Sequence, residues 1–494
     1  MNLETAISLG AYFVVMLLIG LYAWRKSTSN VSEFMLGGRN LPPAVAALSA
    51  GASDMSGWML MGLPGAIYVA GLNAAWLAVG LVVGAWLNYI LVAPRLRVYT
   101  EIADDAITIP DYLEKRFDDH SRRLRIIASL VIVVFFTLYT SAGLVAGGKL
   151  FEASFGYDYA LGLWITAGVV IAYTLFGGFL AVSLTDFVQG CIMFAALVLV
   201  PIVTIADLGG WGATNSVVEG INPDYMGWLS GVTVIGIISS LSWGLGYFGQ
   251  PHIIVRFMAV RSVRDMPAMR RIGMSWMLVT VIGSVLCGIA GRAYVAGTTL
   301  TLADPETIFI VLSQTLFNPY VAGFLLAAIL AAIMSTISSQ LLVSSSSLTE
   351  DFYKTFIRSD ASQSELVLMG RIATLAVALV AIALAMDRSN NILSLVGNAW
   401  AGFGAAFGPV MLLSLHWRGL TRDGALAGIV AGAGIVLIWL YAPFTIGGAS
   451  PSSVVYEMIP GFAGSLITAW AVSRFGKPVS SKVEQRFGEM VTNL

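Results

Sequence analysis

The chain has 494 residues, of which 57% are hydrophobic and only 11% are charged, and its mean hydropathy is +0.82. A soluble domain carries about 25% charged residues, so this composition indicates a polytopic membrane protein. The net charge of −1 hides a strong spatial asymmetry of charge, so it carries no information about nucleic-acid or acidic partners. Two cysteines, Cys191 and Cys287, are too few for a disulfide framework, and the three histidines lack metal-ligand spacing.

Windows of about 20 apolar residues, long enough to cross ~30 Å of hydrocarbon, predict thirteen transmembrane helices. They lie at 5–24, 43–65, 72–94, 126–148, 159–177, 183–205, 231–255, 273–296, 317–347, 368–386, 392–415, 424–442 and 457–473. We interpret the chain as a single transmembrane domain over 1–494. Its parts are a first span with an inner linker (1–42), a core (43–415), two accessory spans (416–475) and a cytoplasmic tail (476–494).

The distribution of basic residues predicts the orientation of the chain. No basic residue precedes the first window, so we interpret this window as a span and not as a signal peptide. With the N-terminus outside, 24 of the 27 Lys and Arg residues fall in internal segments or adjoining span ends, and only Lys149, Arg292 and Arg388 fall outside. This positive-inside bias predicts a multi-pass protein of the bacterial cytoplasmic (inner) membrane with its C-terminus inside.

Two of the predicted spans contain helix breakers. The second span carries Gly51, Gly57, Gly62 and Pro64, and the seventh contains the glycine-rich segment 242–251. A break in a helix leaves backbone N–H and C=O groups without hydrogen bonds. Such groups are costly in a membrane unless they line a cavity or meet a ligand, so we predict two discontinuous helices. Because the breaks are five spans apart, spans 2–6 and 7–11 have opposite orientations, as a five-plus-five inverted repeat requires. The alternative is that the glycines serve close helix packing.

The second span also contains a lone acid, Asp54. An aspartate at the bilayer centre costs roughly 2.5–3.5 kcal/mol, so we interpret it as functional. Unwound carbonyls around Ala52 and Met55 can coordinate a cation, and the amides of Ser56 and Gly57, at the start of the second half-helix, favour an anionic group. A cation and a solute would therefore bind side by side.

The ninth span supplies further oxygen atoms. Ala332, Ser335, Thr336 and Ser339 fall on one face of this helix by i, i+3, i+4 and i+7 spacing. Hydroxyl and carbonyl oxygens without a fixed charge suit a weakly held monovalent ion, whereas magnesium or calcium would require several carboxylates. The alternative is that the hydroxyls bond only to carbonyls of their own helix.

Aromatic residues near the breaks predict a pocket for a small zwitterion. Trp243 and Tyr247 are four residues apart beside the break in the seventh span, a spacing that can place them on one face, and Tyr139 lies mid-span in the fourth. Aromatic rings pack on a small apolar body and attract an ammonium group by about 0.5–2 kcal/mol. Aromatic side chains in a span could instead contact lipid or pack against neighbouring helices.

Several stretches of the chain resemble the sodium/proline symporters of the sodium/solute symporter family over about residues 5–475. The resemblance is carried by Phe34-Met-Leu-Gly-Gly-Arg39, Leu48-Ser-Ala-Gly-Ala-Ser-Asp-Met-Ser-Gly-Trp58, Trp243-Gly-Leu-Gly-Tyr-Phe-Gly-Gln-Pro-His252, Ala331-Ala-Ile-Met-Ser-Thr336 and Ala399-Trp-Ala-Gly-Phe-Gly-Ala-Ala-Phe-Gly-Pro409. It implies an all-α protein of thirteen transmembrane helices with a five-plus-five inverted-repeat core. It also implies sodium-coupled import of L-proline by alternating access, without catalysis.

The same resemblance implies roles for individual residues. The implied sodium site comprises the carbonyls of Ala52, Met55 and Ala332 and the hydroxyls of Ser335 and Thr336, with Asp54 required for sodium dependence. The implied proline contacts are Ser56, Gly57, Tyr139, Trp243, Tyr247 and Pro251, and Arg39 is linked to ion release and coupling. The implied partners are sodium, L-proline and the lipid bilayer, with no organic cofactor, nucleic acid or obligate protein partner.

Other functions make different demands on the sequence. An intramembrane hydrolase would need a nucleophile beside a histidine at mid-depth, and all three histidines fall toward internal span ends. A sensor would need an output domain, and only a short polar segment follows the last predicted span. Within transporters, proton coupling through Asp54 is the closer rival, and a different small zwitterion could replace proline. Direct contact of Asp54 with the ion is not decided by the sequence.

Overall fold

The computed structural model describes residues 3–26, 31–387 and 391–494. These residues form helices, two isolated β-bridges and no strand. The α-helices are α1 (Leu3–Lys26), α2 (Val31–Leu36), α3 (Pro43–Asp54), α4 (Leu63–Ala70), α5 (Trp76–Leu91), α6 (Ala93–Ile102), α7 (Ile109–Arg116), α8 (Arg123–Phe155), α9 (Tyr159–Asp207), α10 (Trp211–Ile221), α11 (Val234–Leu241), α12 (Pro251–Ala259), α13 (Met266–Ala296), α14 (Ile308–Leu316), α15 (Pro319–Ser346), α16 (Gln363–Leu384), α17 (Ile392–His416), α18 (Arg422–Tyr441), α19 (Pro451–Val454), α20 (Met458–Phe475) and α21 (Ser481–Thr492). Short 3-10 or π-helical segments lie at Gly37–Arg39, Trp58–Gly62, Leu72–Ala75, Ser242–Gly249, Val263–Asp265, Pro305–Thr307 and Ser347–Ile357. Arg388 lies outside the described residues.

Nine helical stretches in the described part of the chain are long and apolar enough to cross a membrane. Of three shorter apolar helices, Tyr159–Leu175 and Val234–Gly249 fall within the predicted fifth and seventh spans, and Trp58–Ala70 overlaps the second and extends five residues beyond it. The thirteenth predicted span coincides with α20. The predicted all-helical, multi-span fold class is therefore confirmed, whereas the count of thirteen stays a prediction.

Helix α9 consists of two helical parts. Its backbone leaves helical geometry at Gly178, where φ is 56° and ψ is −152°. Glycine tolerates a positive φ because it has no Cβ. A Cβ at Gly178 would also lie 2.8 Å from the carbonyl oxygen of Phe34, so no larger residue fits here without a shift. The two parts correspond to the spans predicted at 159–177 and 183–205.

The second and seventh spans are both discontinuous. Helix α3 ends at Asp54, and Met55 follows with φ −83° and ψ 69° before the chain turns helical again towards α4. In the seventh span, α11 continues as the 3-10 segment Ser242–Gly249, and Gln250 is extended, with φ −84° and ψ 105°, before α12 begins. The helix breakers identified in the sequence therefore coincide with interruptions of the helices.

Among the nine long apolar stretches of the described residues, the one that contains α15 is the most enclosed, and 89% of its apolar window is buried. It packs against α1, α3, α8, α9 and α16. Because other helices surround it, its small polar residues are withdrawn from lipid, where unpaired hydroxyls would be costly. This position places the Ser335 side of α15 beside the break in the second span.

The last helix, α21, docks on the segment that contains α6 and α7. The Arg486 guanidinium donates to Asp104 at 2.6 Å, and Lys482 Nζ donates to Asp118 at 2.6 Å. The hydrogen bond from Lys482 lowers the pKa of the Asp118 carboxyl below its ordinary value. The Phe487 ring lies 5.5 Å from the buried guanidinium of Arg116. The tail is therefore attached to the predicted inner face.

Candidate functional site

The two helix breaks meet at a buried hydrogen bond. The hydroxyl of Tyr247, on the 3-10 segment of the seventh span, donates to Oδ2 of Asp54 at the end of α3. The carbonyl oxygen of Asp54 accepts from Ser56 N at 3.0 Å and from Trp58 Nε1 at 3.2 Å. Its second carboxylate oxygen, Oδ1, has no partner. Among the described residues, no Lys, Arg or His side chain forms an ion pair with Asp54.

The structure brings together four of the five residues implied as sodium ligands. Ser335 Oγ donates to the carbonyl oxygen of Ala52 at 2.7 Å and lies 3.1 Å from that of Ala332. Thr336 Oγ1 donates to the same Ala332 carbonyl at 3.1 Å. The bonds to Ala332 stay within α15, as is common for helical hydroxyls, but the bond to Ala52 crosses to α3. These oxygens could therefore exchange their mutual contacts for a cation.

Met55, the fifth implied ligand, occupies the break itself. Its backbone leaves the helical region, and its Sδ accepts from Thr280 Oγ1 at 3.6 Å. Two residues further on, a Cβ at Gly57 would lie 2.9 Å from the Ala146 side chain of α8. The glycine therefore also serves close helix packing, at the same place where the helix is broken.

Two buried hydroxyls, those of Ser56 and Tyr139, lie near each other at the break, and neither makes a hydrogen bond of normal geometry with the described residues. The Tyr139 ring contacts the His252 ring edge-to-face, with centroids 6.0 Å apart, and neither ring nitrogen of His252 has a partner. Buried polar groups are normally hydrogen-bonded, so a concentration of unsatisfied ones indicates a place for a bound molecule or water.

Trp243 and Tyr247 have different partners. Tyr247 reaches Asp54, whereas the Trp243 ring stacks on Tyr456 with centroids 5.1 Å apart. The segment that carries both is a 3-10 helix with three residues per turn, so a four-residue spacing turns the side chains by about 120°. In an α-helix the same spacing would give about 40°. The expected shared face is therefore absent for a reason of local geometry.

Trp400 connects these aromatic residues, although the sequence analysis assigned it no role. Its ring contacts Tyr247 at a centroid distance of 5.1 Å, and its Nε1 donates to the Trp243 carbonyl at 2.8 Å. Gln250 Nε2 in turn donates to the Trp400 carbonyl at 3.0 Å. Pro251 follows as the first residue of α12, where its missing N–H is tolerated. The break in the seventh span is thus supported by α17.

Arg39 joins three segments at the predicted inner face. Its Nε donates to Asp105 at 2.8 Å, and its Nη1 donates to Thr100 Oγ1 at 3.0 Å and to the Met258 carbonyl at 3.1 Å. Its Nη2 also donates to the Ala106 carbonyl. Burial lowers the pKa of this guanidinium, although Asp105 opposes the shift. Arg39 therefore ties the linker before α3 to the end of α12.

A buried ion pair that the sequence analysis missed lies beside α3 and α15. The Arg256 guanidinium donates to Asp186 Oδ2 at 3.1 Å and to Ser339 Oγ at 2.6 Å, and both charged side chains are fully buried. Ser49 Oγ also donates to Asp186, at 2.7 Å. Ser339, expected on the ion face of α15, is thus engaged with Arg256. Asp186 is a lone acid in the predicted sixth span, so the reasoning applied to Asp54 would have found it.

This arrangement suits the binding and transfer of a small cation and a polar solute. Oxygen atoms converge from two helices, and the described residues contain no group of three or more His, Cys, Asp or Glu that could hold a metal ion. Sets of neutral oxygens hold a monovalent ion weakly enough to release it. The broken helices also provide the two half-helix ends at which transporters bind their substrates.

Comparison with known proteins agrees with these features. The model of the Sodium:solute symporter family matches residues 34–432. The osmoregulated proline transporter OpuE of Bacillus subtilis is 56% identical, and the alignment covers 99% of this chain and 98% of that protein. The high-affinity proline transporter PutP of the same organism is 57% identical over 96% and 98% of the two chains. A sodium/proline symporter of Staphylococcus aureus is 54% identical over 98% and 95%.

Solved structures agree at the level of the fold. A substrate-bound, outward-open Na⁺-coupled sialic acid symporter superposes with a TM-score of 0.81 at 20% identity, covering 97% of this chain and 99% of that one. Mhp1, a nucleobase-cation-symport-1 family transporter, gives a TM-score of 0.56 at 13% identity over 94% and 100%. The resemblance inferred from the sequence motifs is therefore confirmed, and the chain belongs to the sodium:solute symporter family.

Proposed function

We propose that this chain imports L-proline together with sodium across the bacterial cytoplasmic (inner) membrane, as a secondary active transporter and not as an enzyme. Three relatives named as proline transporters or as a sodium/proline symporter are 54–57% identical over nearly the whole chain. The observation that carries the proposal is the Tyr247–Asp54 contact, which joins the two broken helices at a buried acid without a cationic partner.

In this proposal sodium binds between α3 and α15. Its ligands are the carbonyl oxygens of Ala52, Met55 and Ala332 and the hydroxyls of Ser335 and Thr336. Asp54 supplies the nearby negative charge that favours cation entry into a medium of low dielectric constant. The contact of Ser335 with Ala52 supports this assignment, because sodium can replace it and so join the two helices.

L-Proline binds beside this site in the proposal. The unpartnered hydroxyls of Ser56 and Tyr139 are available to its polar groups, and the backbone at Gly57 presents the positive end of a half-helix to its carboxylate. The Tyr247 ring faces its apolar ring, and the Trp243 ring, which stacks on Tyr456 in this structure, turns from Tyr456 to meet its ammonium group. Pro251 completes the proposed contacts from the start of α12.

Transport proceeds by alternating access. Sodium organises the break in the second span and raises the affinity for proline, and both are released on the inside after the bundle rocks. A membrane potential of 100 mV contributes about 2.3 kcal/mol per charge moved, which corresponds to a roughly fifty-fold gradient of solute for one sodium ion. Arg39 couples ion release to movement of α3 and α12, because its hydrogen bonds join the inner ends of both segments.

We also propose the finer architecture. The chain is one transmembrane domain of thirteen spans with its N-terminus outside and its C-terminus inside. The core (43–415) is an inverted repeat, flanked by the first span with its linker (1–42), two accessory spans (416–475) and a tail (476–494). The equivalent interruptions at Met55 and Gln250 support the repeat, since each lies in the first helical segment of its half.

Proteoliposomes test this function directly. An imposed inward sodium gradient at equal pH on both sides is expected to drive accumulation of labelled L-proline. An inward proton gradient without sodium is expected to drive none. Accumulation under the proton gradient alone would favour the rival in which Asp54 carries a proton. Competition by a panel of amino acids and betaines then tests whether proline is the preferred zwitterion.

A further inference from the structure

We propose a second position for the transported monovalent cation, in a small cavity between α3, α5, α12 and α13. This inference rests on the proposed sodium coupling. The cavity, with a volume of about 20 Å³, is lined by Asp54 and Tyr247 and by Asn88 and Tyr89 of α5, with Gly273 of α13 opposite. Asn88 and Gly273 lie towards the inner ends of their predicted spans.

Two oxygen atoms without partners belong to this cavity. Asp54 Oδ1 and Asn88 Oδ1 are both buried without a hydrogen bond, and the two residues are only 2% and 1% exposed. An unpaired buried acceptor costs about 1–3 kcal/mol, and more when it is charged. Since the described residues place no cationic side chain against Asp54, an ion from outside the protein is the natural compensation.

The cavity is distinct from the proposed sodium site on α15. The Ala52 carbonyl meets Ser335 of α15, whereas the Asp54 carboxylate meets Tyr247 of the seventh span. None of the described residues of α15 lines the cavity. One ion in one place therefore cannot use both sets of ligands without a rearrangement of the break.

Its size and chemistry select the occupant. A cavity needs about 10–15 Å³ to hold one water molecule, so 20 Å³ admits a single particle of that size. One carboxylate, one amide oxygen and a phenolic hydroxyl match a monovalent ion. A divalent ion would require more negative charge, because magnesium and calcium sites use several carboxylates.

The location indicates what the second position does. Gly273 and Met274 lie in the first third of α13, just after Arg270 and Arg271, and therefore towards the predicted inner face. The cavity and the α15 site share the end of α3, so an ion can pass from one to the other when the break moves. Because sodium at the α15 site and proline raise each other's affinity, we assign the cavity as the position that sodium favours when proline is absent, and the α15 site as the position it favours when proline is bound.

Binding of ²²Na⁺ to the purified, full-length transporter tests this assignment. Asn88→Leu removes the amide oxygen at similar volume, and Asn88→Asp restores an oxygen. Without proline, Asn88→Leu is expected to weaken sodium binding about tenfold or more, since one lost ligand to a charged group costs at least ~1.5 kcal/mol. With saturating proline the loss is expected to be much smaller, and Asn88→Asp is expected to retain binding in both conditions.

Two controls separate this role from a structural one. Met277→Leu changes an apolar wall of the cavity at nearly constant volume and is expected to leave sodium binding unchanged. Ser335→Ala is expected to show the opposite pattern, with the greater loss when proline is present. Equal losses with and without proline in Asn88→Leu, or no loss, would overturn the proposal and leave a structural water as the occupant. Failure of the wild-type protein to bind sodium would instead refute the proposed function itself.

Discussion

The substitution Ser335→Ala removes the hydroxyl that joins the two helices of the proposed sodium site. This hydroxyl is fully buried, donates to the Ala52 carbonyl at 2.7 Å and lies 3.1 Å from the Ala332 carbonyl. It belongs to α15, which is buried on nearly every side, so no other residue can easily take its place. We therefore predict a loss of sodium affinity without a loss of the proline contacts.

The size of the effect follows from the lost interaction. A hydrogen bond or oxygen contact to a charged group contributes about 1.5–3 kcal/mol, and every 1.4 kcal/mol is a factor of ten. The sodium concentration for half-maximal proline uptake should therefore rise about ten- to 150-fold. The maximal rate at saturating sodium should change less, because the solute contacts on the other face of the break are intact.

Sodium-dependent proline uptake into proteoliposomes measures this effect. Ser345→Ala is the matched control, since its hydroxyl is also buried in α15 but donates only to the Leu342 carbonyl, at 2.9 Å. It lies ten residues away, or about 15 Å along the helix, and should leave the sodium dependence unaltered. The assigned ligand role would be refuted if the sodium concentration for half-maximal uptake were unchanged in Ser335→Ala, or if it rose equally in both variants.

Three further substitutions test the remaining parts of the account. Trp243→Ala removes the ring that stacks on Tyr456. In uptake assays the proline concentration for half-maximal transport should rise about two- to thirtyfold, and the corresponding sodium concentration should rise less. Equal increases in the two concentrations would indicate misfolding. Arg39→Lys keeps the charge but cannot form the forked set of hydrogen bonds, so transport should slow while equilibrium binding of sodium and proline persists; weakened binding would contradict a coupling role. Phe487→Ala removes the ring 5.5 Å from Arg116, and limited proteolysis should cleave the tail faster while uptake stays normal; an unchanged cleavage rate would contradict the docking role of this ring.

The helix breaks were predictable because their causes are local. Glycine and proline residues weaken a helix wherever they occur, and a lone aspartate in an apolar segment is visible without any knowledge of its neighbours. The meeting of the two breaks through Tyr247 and Asp54 was not predictable in this way. That contact depends on the packing of helices almost 200 residues apart in the chain, which no local pattern reports.

The charge of Asp186 was equally visible but was overlooked. It lies four residues into a predicted span, and the structure pairs it with Arg256, which lies beyond the predicted seventh span. Removal of one partner from such a pair leaves an uncompensated buried charge, which is strongly destabilising. Any lone acid in a span, and not only one beside glycines, is therefore a candidate for a buried partner or a functional role.

The orientations of Trp243 and Tyr247 required the backbone type. An α-helical spacing rule places both on one face, but the segment is a 3-10 helix and separates them. Asn88 and Trp400 were not identified from the sequence for another reason. Their surroundings are ordinary apolar spans, and only the fold places them against Asp54 and Tyr247.

Sodium entry that depends on proline is the most direct test of the central claim. Proteoliposomes with equal sodium concentrations on both sides and a negative interior are mixed with ²²Na⁺, with or without external L-proline. The account predicts that L-proline accelerates ²²Na⁺ influx and that the two fluxes saturate together. Proline uptake without accompanying ²²Na⁺, or sodium influx indifferent to proline, would contradict sodium-coupled proline import.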